Sequence, residues 1–126
     1  MKGLLDTSVL IARERGRPLG TLPDESAISV VTLAELHMGV LLAEQPRVRA
    51  RRMRSLSEVE RNFDAVPIDK EVARSFAMLV ADARSRGRKP KIMDAWIAAT
   101  AVTYDLPLFT QDADFGQFPD VEVVQV

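Results

Sequence analysis

Leu4-Leu5-Asp6-Thr7-Ser8-Val9-Leu10-Ile11 is the stretch whose reading decides the fold. Apolar residues lead into an acid and two hydroxyls, and apolar residues follow, which reads as a short buried strand turning directly into a helix. Asp6 then stands at the carboxyl end of a strand. Downstream, Ala27-Ile28-Ser29-Val30-Val31 is rich in β-branched residues and reads as a second strand, reached through a loop marked by Gly16, Pro18, Gly20 and Pro23. A helix over residues 32–43 is expected next, with Leu33, Leu36, Val40 and Ala43 on one stripe.

The rest of the chain alternates in the same way. Residues 47–63 keep helical spacing through Leu56, Val59 and Phe63, and Val66-Pro67-Ile68 reads as a short strand. Asp69 can cap a helix carrying Val72, Phe76, Leu79 and Ala83, which Gly87 and Pro90 end. A helix over residues 93–103, a strand over 107–110, a loop over 112–119 and a strand over 121–126 complete the reading. Such alternation implies an α/β fold of three layers, a short and mostly parallel sheet flanked by helices. In these sheets ligands lie off the carboxyl ends of the strands. No internal repeat or linker interrupts the 126 residues, a length suited to one domain, so residues 1–126 are expected to form one.

Apolar residues make up 47% of the chain and charged residues 28%, enough apolar surface to bury a core. No apolar run approaches the roughly 18–20 residues that span a bilayer, and no apolar leader precedes Asp6. With no cysteine, disulfides, thiolate nucleophiles and cysteine-based metal centres are excluded, and a cytoplasmic location without membrane attachment is the expectation. The formal charge of −1 hides two basic clusters. Arg47, Arg49, Arg51, Arg52, Arg54 and Arg61 form one; Arg84, Arg86, Arg88, Lys89 and Lys91 form the other. Either could contact phosphates or simply be a solvated helix face.

His37 is the only histidine, so a two-histidine ribonuclease and histidine zinc sites are excluded. It falls inside an expected helix beside no nucleophile, which leaves no Ser-His-Asp arrangement. Gly16-Arg17-Pro18-Leu19-Gly20 lacks the spacing and trailing Lys-Ser/Thr of a phosphate-binding loop. Carboxylates remain. Asp6, Glu35, Asp94 and the pair Asp112/Asp114 all fall where a parallel sheet can bring them to one end. Gathered carboxylates repel one another unless a cation compensates, and oxygen ligands without imidazole or thiolate select Mg²⁺ or Mn²⁺. Each acid also has a structural reading. Asp6 or Ser8 can cap the first helix, Thr32-Leu33-Ala34-Glu35 fits a capping box, Asp94 can complement a helix dipole, and Asp112 can form an Asx-turn.

Taken together, Leu5-Asp6-Thr7-Ser8-Val9-Leu10, Thr32-Leu33-Ala34-Glu35-Leu36, Asp94-Ala95-Trp96-Ile97-Ala98-Ala99-Thr100-Ala101 and Leu108-Phe109-Thr110-Gln111-Asp112-Ala113-Asp114-Phe115 resemble the four acidic motifs of PIN-domain nucleases, in family order. In a chain this short, spanning residues 5–115, the arrangement resembles the VapC toxins of bacterial toxin–antitoxin modules. The resemblance implies that Asp6, Glu35, Asp94 and Asp112 surround one or two Mg²⁺ ions, for which Mn²⁺ could substitute. Ser8 and Thr110 would be supporting hydroxyls, and Asp114 the alternative fourth acid. It implies metal-assisted hydrolysis of RNA phosphodiesters, a homodimer, and a VapB-like antitoxin anchored in an apolar groove formed by Val9, Leu36 and Val40. The alternatives are a PIN-like module that binds RNA or protein without cleaving, and an RNA-processing nuclease outside any toxin–antitoxin system. Aspartyl-phosphate chemistry is disfavoured, because no second aspartate follows Asp6 at two residues and no lysine follows the late strand.

Overall fold

The computed structural model describes residues 1–126, and its sheet has five strands in the order β3-β2-β1-β4-β5. In chain order the elements are β1 (Lys2–Leu5), α1 (Thr7–Glu14), β2 (Glu25–Ser29), α2 (Val30–Leu41), α3 (Pro46–Asn62), β3 (Asp64–Val66), α4 (Lys70–Ser85), α5 (Ile92–Thr103), β4 (Leu108–Thr110) and β5 (Val123–Gln125). A 3₁₀ turn, Ala113–Gln117, occupies the expected loop between the last two strands. Every strand pair is parallel. Register is fixed by contacts such as Leu4 with Ala27 and Leu5 with Phe109.

Neighbouring residues along each central strand go to opposite faces, which is the period of an extended chain. Leu4, Ala27 and Leu108 join Val72, Leu79, Ile97 and Phe115 in one core, while Leu5, Ile28 and Phe109 join Val9, Leu10 and Val59 in another. The sheet is thus covered on both sides, by α4 and α5 on one and by α1 and α3 on the other. Because both faces are buried, these strands read as continuous apolar runs rather than alternating ones. Small residues let α5 lie close: Ala95, Ala98, Ala99 and Ala101 are all buried. Beside them Phe76 of α4 stacks on Trp96 with ring centroids 3.7 Å apart.

Gly3 is needed on β1 because a Cβ there would meet the Phe109 ring at 2.5 Å. Two arginines of the first basic cluster are structural. Arg49 donates to the carbonyls of Val40 and Leu41, and Arg52 to that of Gly39, helping to close the carbonyl end of α2.

From β1 the chain moves to β2 and β3 in one direction, and β4 and β5 extend the sheet in the other. The order therefore reverses between β1 and β4, the place in an open parallel sheet where loops part and leave a crevice. Asp6 follows β1 and Asp112 follows β4, so both stand at that crevice.

Three sequence expectations shift. β2 begins and ends two residues early, α2 starts at Val30 with Ser29 as its cap through Val31 N, and β3 covers Asp64–Val66. The capping box at Thr32 and Glu35 is accordingly absent, since Glu35 lies in the second turn of α2. By contrast, Asp69 caps α4 as expected, accepting from Val72 N at 2.9 Å.

Candidate active site

Asp6 is buried at the turn from β1 into α1, and it occupies the cap position without making a side-chain cap bond. Its hydrogen bonds fall instead on one oxygen: Oδ2 accepts from Ser8 Oγ at 2.7 Å and from Thr110 Oγ1 at 2.8 Å. The same hydroxyls hold the chain after β4. Ser8 Oγ accepts from Gln111 N at 3.0 Å, and Thr110 Oγ1 from Asp112 N at 2.9 Å. Ser8 and Thr110 therefore fasten the β4 loop to the carboxylate that begins α1, and both supporting hydroxyls expected from the sequence lie here.

Glu35 reaches the cleft from the second turn of α2 and is half-buried. Thr7 Oγ1 donates to its Oε1 at 2.7 Å and lies 3.0 Å from Thr32 Oγ1. Thr7 was not among the residues expected in the site. Its signal was weak, since a hydroxyl between an acid and Ser8 at a helix start is explained as well by capping. Burial raises the Glu35 carboxyl above its ordinary range; the Thr7 bond works against this and the charge of Asp6 adds to it.

Asp94 lies in the first turn of α5. Burial, then the charges of Asp6 and Asp112, push its pKa up to about 6, with Lys91 opposing and Glu35 adding a smaller upward push. Its Oδ2 is buried and has no hydrogen-bond partner. A buried carboxylate oxygen left without a donor is costly, and here its neighbours are like charges. A cation at this oxygen would relieve both penalties.

Asp112 is half-buried and its Oδ1 accepts from Asp114 N at 2.8 Å, so it caps the 3₁₀ turn while its carboxyl borders the cleft. The Asx-type reading of Asp112 and its place in the site thus coexist. Asp114 is exposed, yet one carboxylate oxygen each from Asp94, Asp112 and Asp114 lie within 4.8 Å of one another. The cleft itself, about 390 Å³, is lined by Asp6, Ser8, Glu35, Asp94 and Asp112 together with Lys91. Lys91 was read from the sequence only as part of a basic cluster. The carboxylates and hydroxyl gathered here, without imidazole or thiolate, are a hard oxygen donor set compatible with a divalent metal ion.

His37 lies apart, on an exposed face with Nε2 3.9 Å from Glu60. Of the residues expected to line an apolar groove, Leu36 does so, with Leu10, Ile11 and Val59, between α1, α2 and α3, whereas Val9 and Val40 are buried in the interior. An apolar stripe on a helix packed on two sides does not tell which of its residues faces inward.

The model of the PIN domain family matches residues 3–121. Ribonuclease VapC5 of Mycobacterium tuberculosis (strain ATCC 25618 / H37Rv) is 43% identical, with 98% of this chain and 95% of the relative covered. Ribonuclease VapC4 of the same strain is 41% identical over 99% of this chain and 97% of its own. Among solved structures, VapBC-5 from Mycobacterium tuberculosis, a member of the VapBC family of toxin-antitoxin systems, superposes with a TM-score of 0.88. The superposition is at 40% identity and covers 99% of this chain and 98% of the other. With likeness in sequence and in backbone sustained from end to end, the chain belongs to the PIN domain family.

Proposed function

We propose that this chain is a divalent-metal-dependent endoribonuclease of the VapC kind, the toxin of a toxin–antitoxin pair, and that residues 1–126 form one PIN-like nuclease domain. The observation that carries the reading is Asp94 Oδ2, a buried carboxylate oxygen without a donor and set among the charges of Asp6, Asp112 and Glu35. Such an arrangement is costly by itself and suits a hard cation. Relatives named ribonuclease VapC support RNA as the substrate, and the VapBC-5 structure supports a VapB-like antitoxin as partner. The family resemblance supports a homodimer. No helix is long and apolar enough to cross a membrane, and we place the protein in the cytoplasm.

Asp6, Asp94 and Asp112 are the residues we assign to holding Mg²⁺, with Mn²⁺ able to substitute and Asp114 as a flanking acid. When bound, such an ion supplies Lewis acidity toward a phosphodiester and screens its charge from the carboxylates. The chain's own groups do the rest. Ser8 and Thr110 keep the Asp6 carboxylate fixed through Oδ2. Thr7 occupies Glu35 Oε1 and leaves Oε2 to take the proton of an attacking water, a role suited to a carboxyl whose pKa burial has raised. Water adds to phosphorus while giving a proton to Glu35, and the 3′ oxygen leaves and takes up a proton from solvent, so the products carry a 5′-phosphate and a 3′-hydroxyl.

The test is cleavage of a labelled RNA by protein purified free of host nucleases. Activity should vanish in EDTA and return with Mg²⁺, and Asp6→Asn combined with Asp94→Asn should lower it by at least about 10²–10³-fold. Full cleavage by the double variant would overturn the assignment.

A further inference from the structure

α4 ends at Gly87, which takes φ +75°, a conformation open to glycine at little cost. Gly87 N donates to Arg84 O at 3.0 Å and Arg88 N to Ala83 O at 2.9 Å, so the helix closes and the chain leaves it sharply. Residues 88–91 then run toward the start of α5. Arg88, Lys89 and Lys91 are exposed on this connection, and none makes an ion pair or a side-chain hydrogen bond.

Arg86 behaves differently. It donates to Asp82 Oδ2 at 3.2 and 2.9 Å and to Gln117 O at 2.9 Å, so it ties α4 to the 3₁₀ turn that carries Asp114. The bracket fixes the cationic connection relative to the acidic cleft. Arg88, Lys89 and Lys91 border one depression beside that turn, with Asp114 on its wall, and Lys91 also lines the acidic cleft. A second depression, which includes Arg84, shares Arg88 and Lys89 with the first. Three unpaired cations thus border adjoining hollows, the nearer of which shares Lys91 with the acidic cleft.

Arg88 and Lys89 have no carboxylate partner, and Lys91 makes no ion pair although its charge acts on Asp94 across the cleft. Such cations can neutralise phosphates, and a chain of phosphates approaching an acidic cleft needs such neutralisation along its path. We infer that the α4–α5 connection is the track on which the RNA backbone lies as it enters the cleft, with Arg88 and Lys89 on phosphates outside it and Lys91 on the phosphate at its mouth. This deepens, and rests on, the ribonuclease reading. It also separates the two basic clusters: in the first, Arg49 and Arg52 close α2, while Arg47, Arg51 and Arg54 lie on α3 and do not line the cleft. Contacts of this kind give affinity and register and carry no base sequence.

The test measures binding of a short fluorescein-labelled single-stranded RNA in EDTA, where no cleavage occurs, across a range of salt. Each phosphate contact removed flattens the slope of log K against log salt by about 0.7 for a single strand. The triple variant Arg88→Gln, Lys89→Gln, Lys91→Gln should therefore lose about 2 in slope and bind roughly a hundredfold more weakly at about 0.1 M salt. The matched variant Arg47→Gln, Arg51→Gln, Arg54→Gln removes the same charge and should keep the wild-type slope. Equal slopes for the two variants, or no change in the first, overturn the track while wild-type cleavage with Mg²⁺ leaves the ribonuclease reading standing. Failure of the wild type to cleave any RNA with Mg²⁺ fails that reading and the track with it.

Discussion

On one side of the acidic cleft, Ile11 and Glu35 lead into an apolar groove of about 170 Å³ between α1, α2 and α3; on the other, Lys91 leads onto the cationic α4–α5 connection. The groove's apolar walls, Leu10, Ile11, Leu36 and Val59, would gain by leaving water, with Glu14, Arg15, Glu35 and Arg52 around them, whereas an RNA on the connection would gain by releasing counterions and lose affinity steeply as salt rises. On the proposals above, an antitoxin and an RNA would meet at one cleft and differ in how steeply salt weakens them. Glu35 belongs to both the groove and the cleft, so an occupant of the groove touches a wall of the site.

The sharpest way to break this division is at Leu36, a half-buried wall of the groove that is outside the cleft. Leu36→Ala should weaken binding of the cognate antitoxin by about 2 kcal/mol, roughly thirtyfold, and leave the salt slope of RNA binding unchanged. A titration in which both partners weaken together would show that the two sides are not separate.

A smaller effect concerns the floor between them. The Asp94 carboxyl is raised from 3.8 to about 6 in the folded protein, so protonation favours the fold. The sign follows: without metal, its stabilising contribution is full below about pH 3.8 and is lost as pH rises through about 6. Asp94→Asn should remove that dependence and stabilise the metal-free protein at pH 7 by about 1–2 kcal/mol, a figure reduced for the solvent that reaches this half-buried group. Melting curves in EDTA from pH 4 to 7 decide it; parallel curves for wild type and variant would sink the idea.

The smallest effect compares glycines on the two sides. Gly16 follows α1 with φ +68° and Gly87 follows α4 with φ +75°, and a Cβ on either would meet nothing within 4 Å. Gly16→Ala and Gly87→Ala should each cost about 1 kcal/mol through backbone conformation alone. Only Gly87→Ala should alter the salt slope, because only it redirects the cations. A change in slope from Gly16→Ala would argue that the track is not local to the α4–α5 connection.

Much of this was legible in the chain because it is written in short-range pattern. Leu4-Leu5-Asp6 gives strand, burial and acid together, and the alternation of strands and helices gives the parallel sheet that gathers the acids. What was not legible depends on contacts across the fold. Glu35 sits three residues after Thr32, the spacing of a capping box, yet Ser29 caps the helix and Thr32 is buried near Thr7 instead. The fate of the arginines was equally hidden: Arg49 and Arg52 satisfy helix carbonyls, Arg86 braces a turn, and Arg88 stays free, although all are alike as letters. The site for the fourth acid shows the same limit. Asp112 lines the cleft and Asp114 the adjoining depression, while one oxygen of each lies within 4.8 Å of one on Asp94, an arrangement made by the 3₁₀ turn.

The bond from Thr110 to Asp6 joins residues 104 positions apart, across the point where the strand order reverses. Asp6 and Glu35 come from the first half of the chain, Asp94 and Asp112 from its last third. During synthesis an emerging polypeptide therefore holds only fragments of the cleft until β4 has left the ribosome and slotted beside β1. Long-range pairing of this kind closes late, after most of the chain is available. In a chain whose relatives are ribonucleases, the cleft is therefore the last part of the fold that can be assembled, and it stays incomplete until nearly all of the chain has been made.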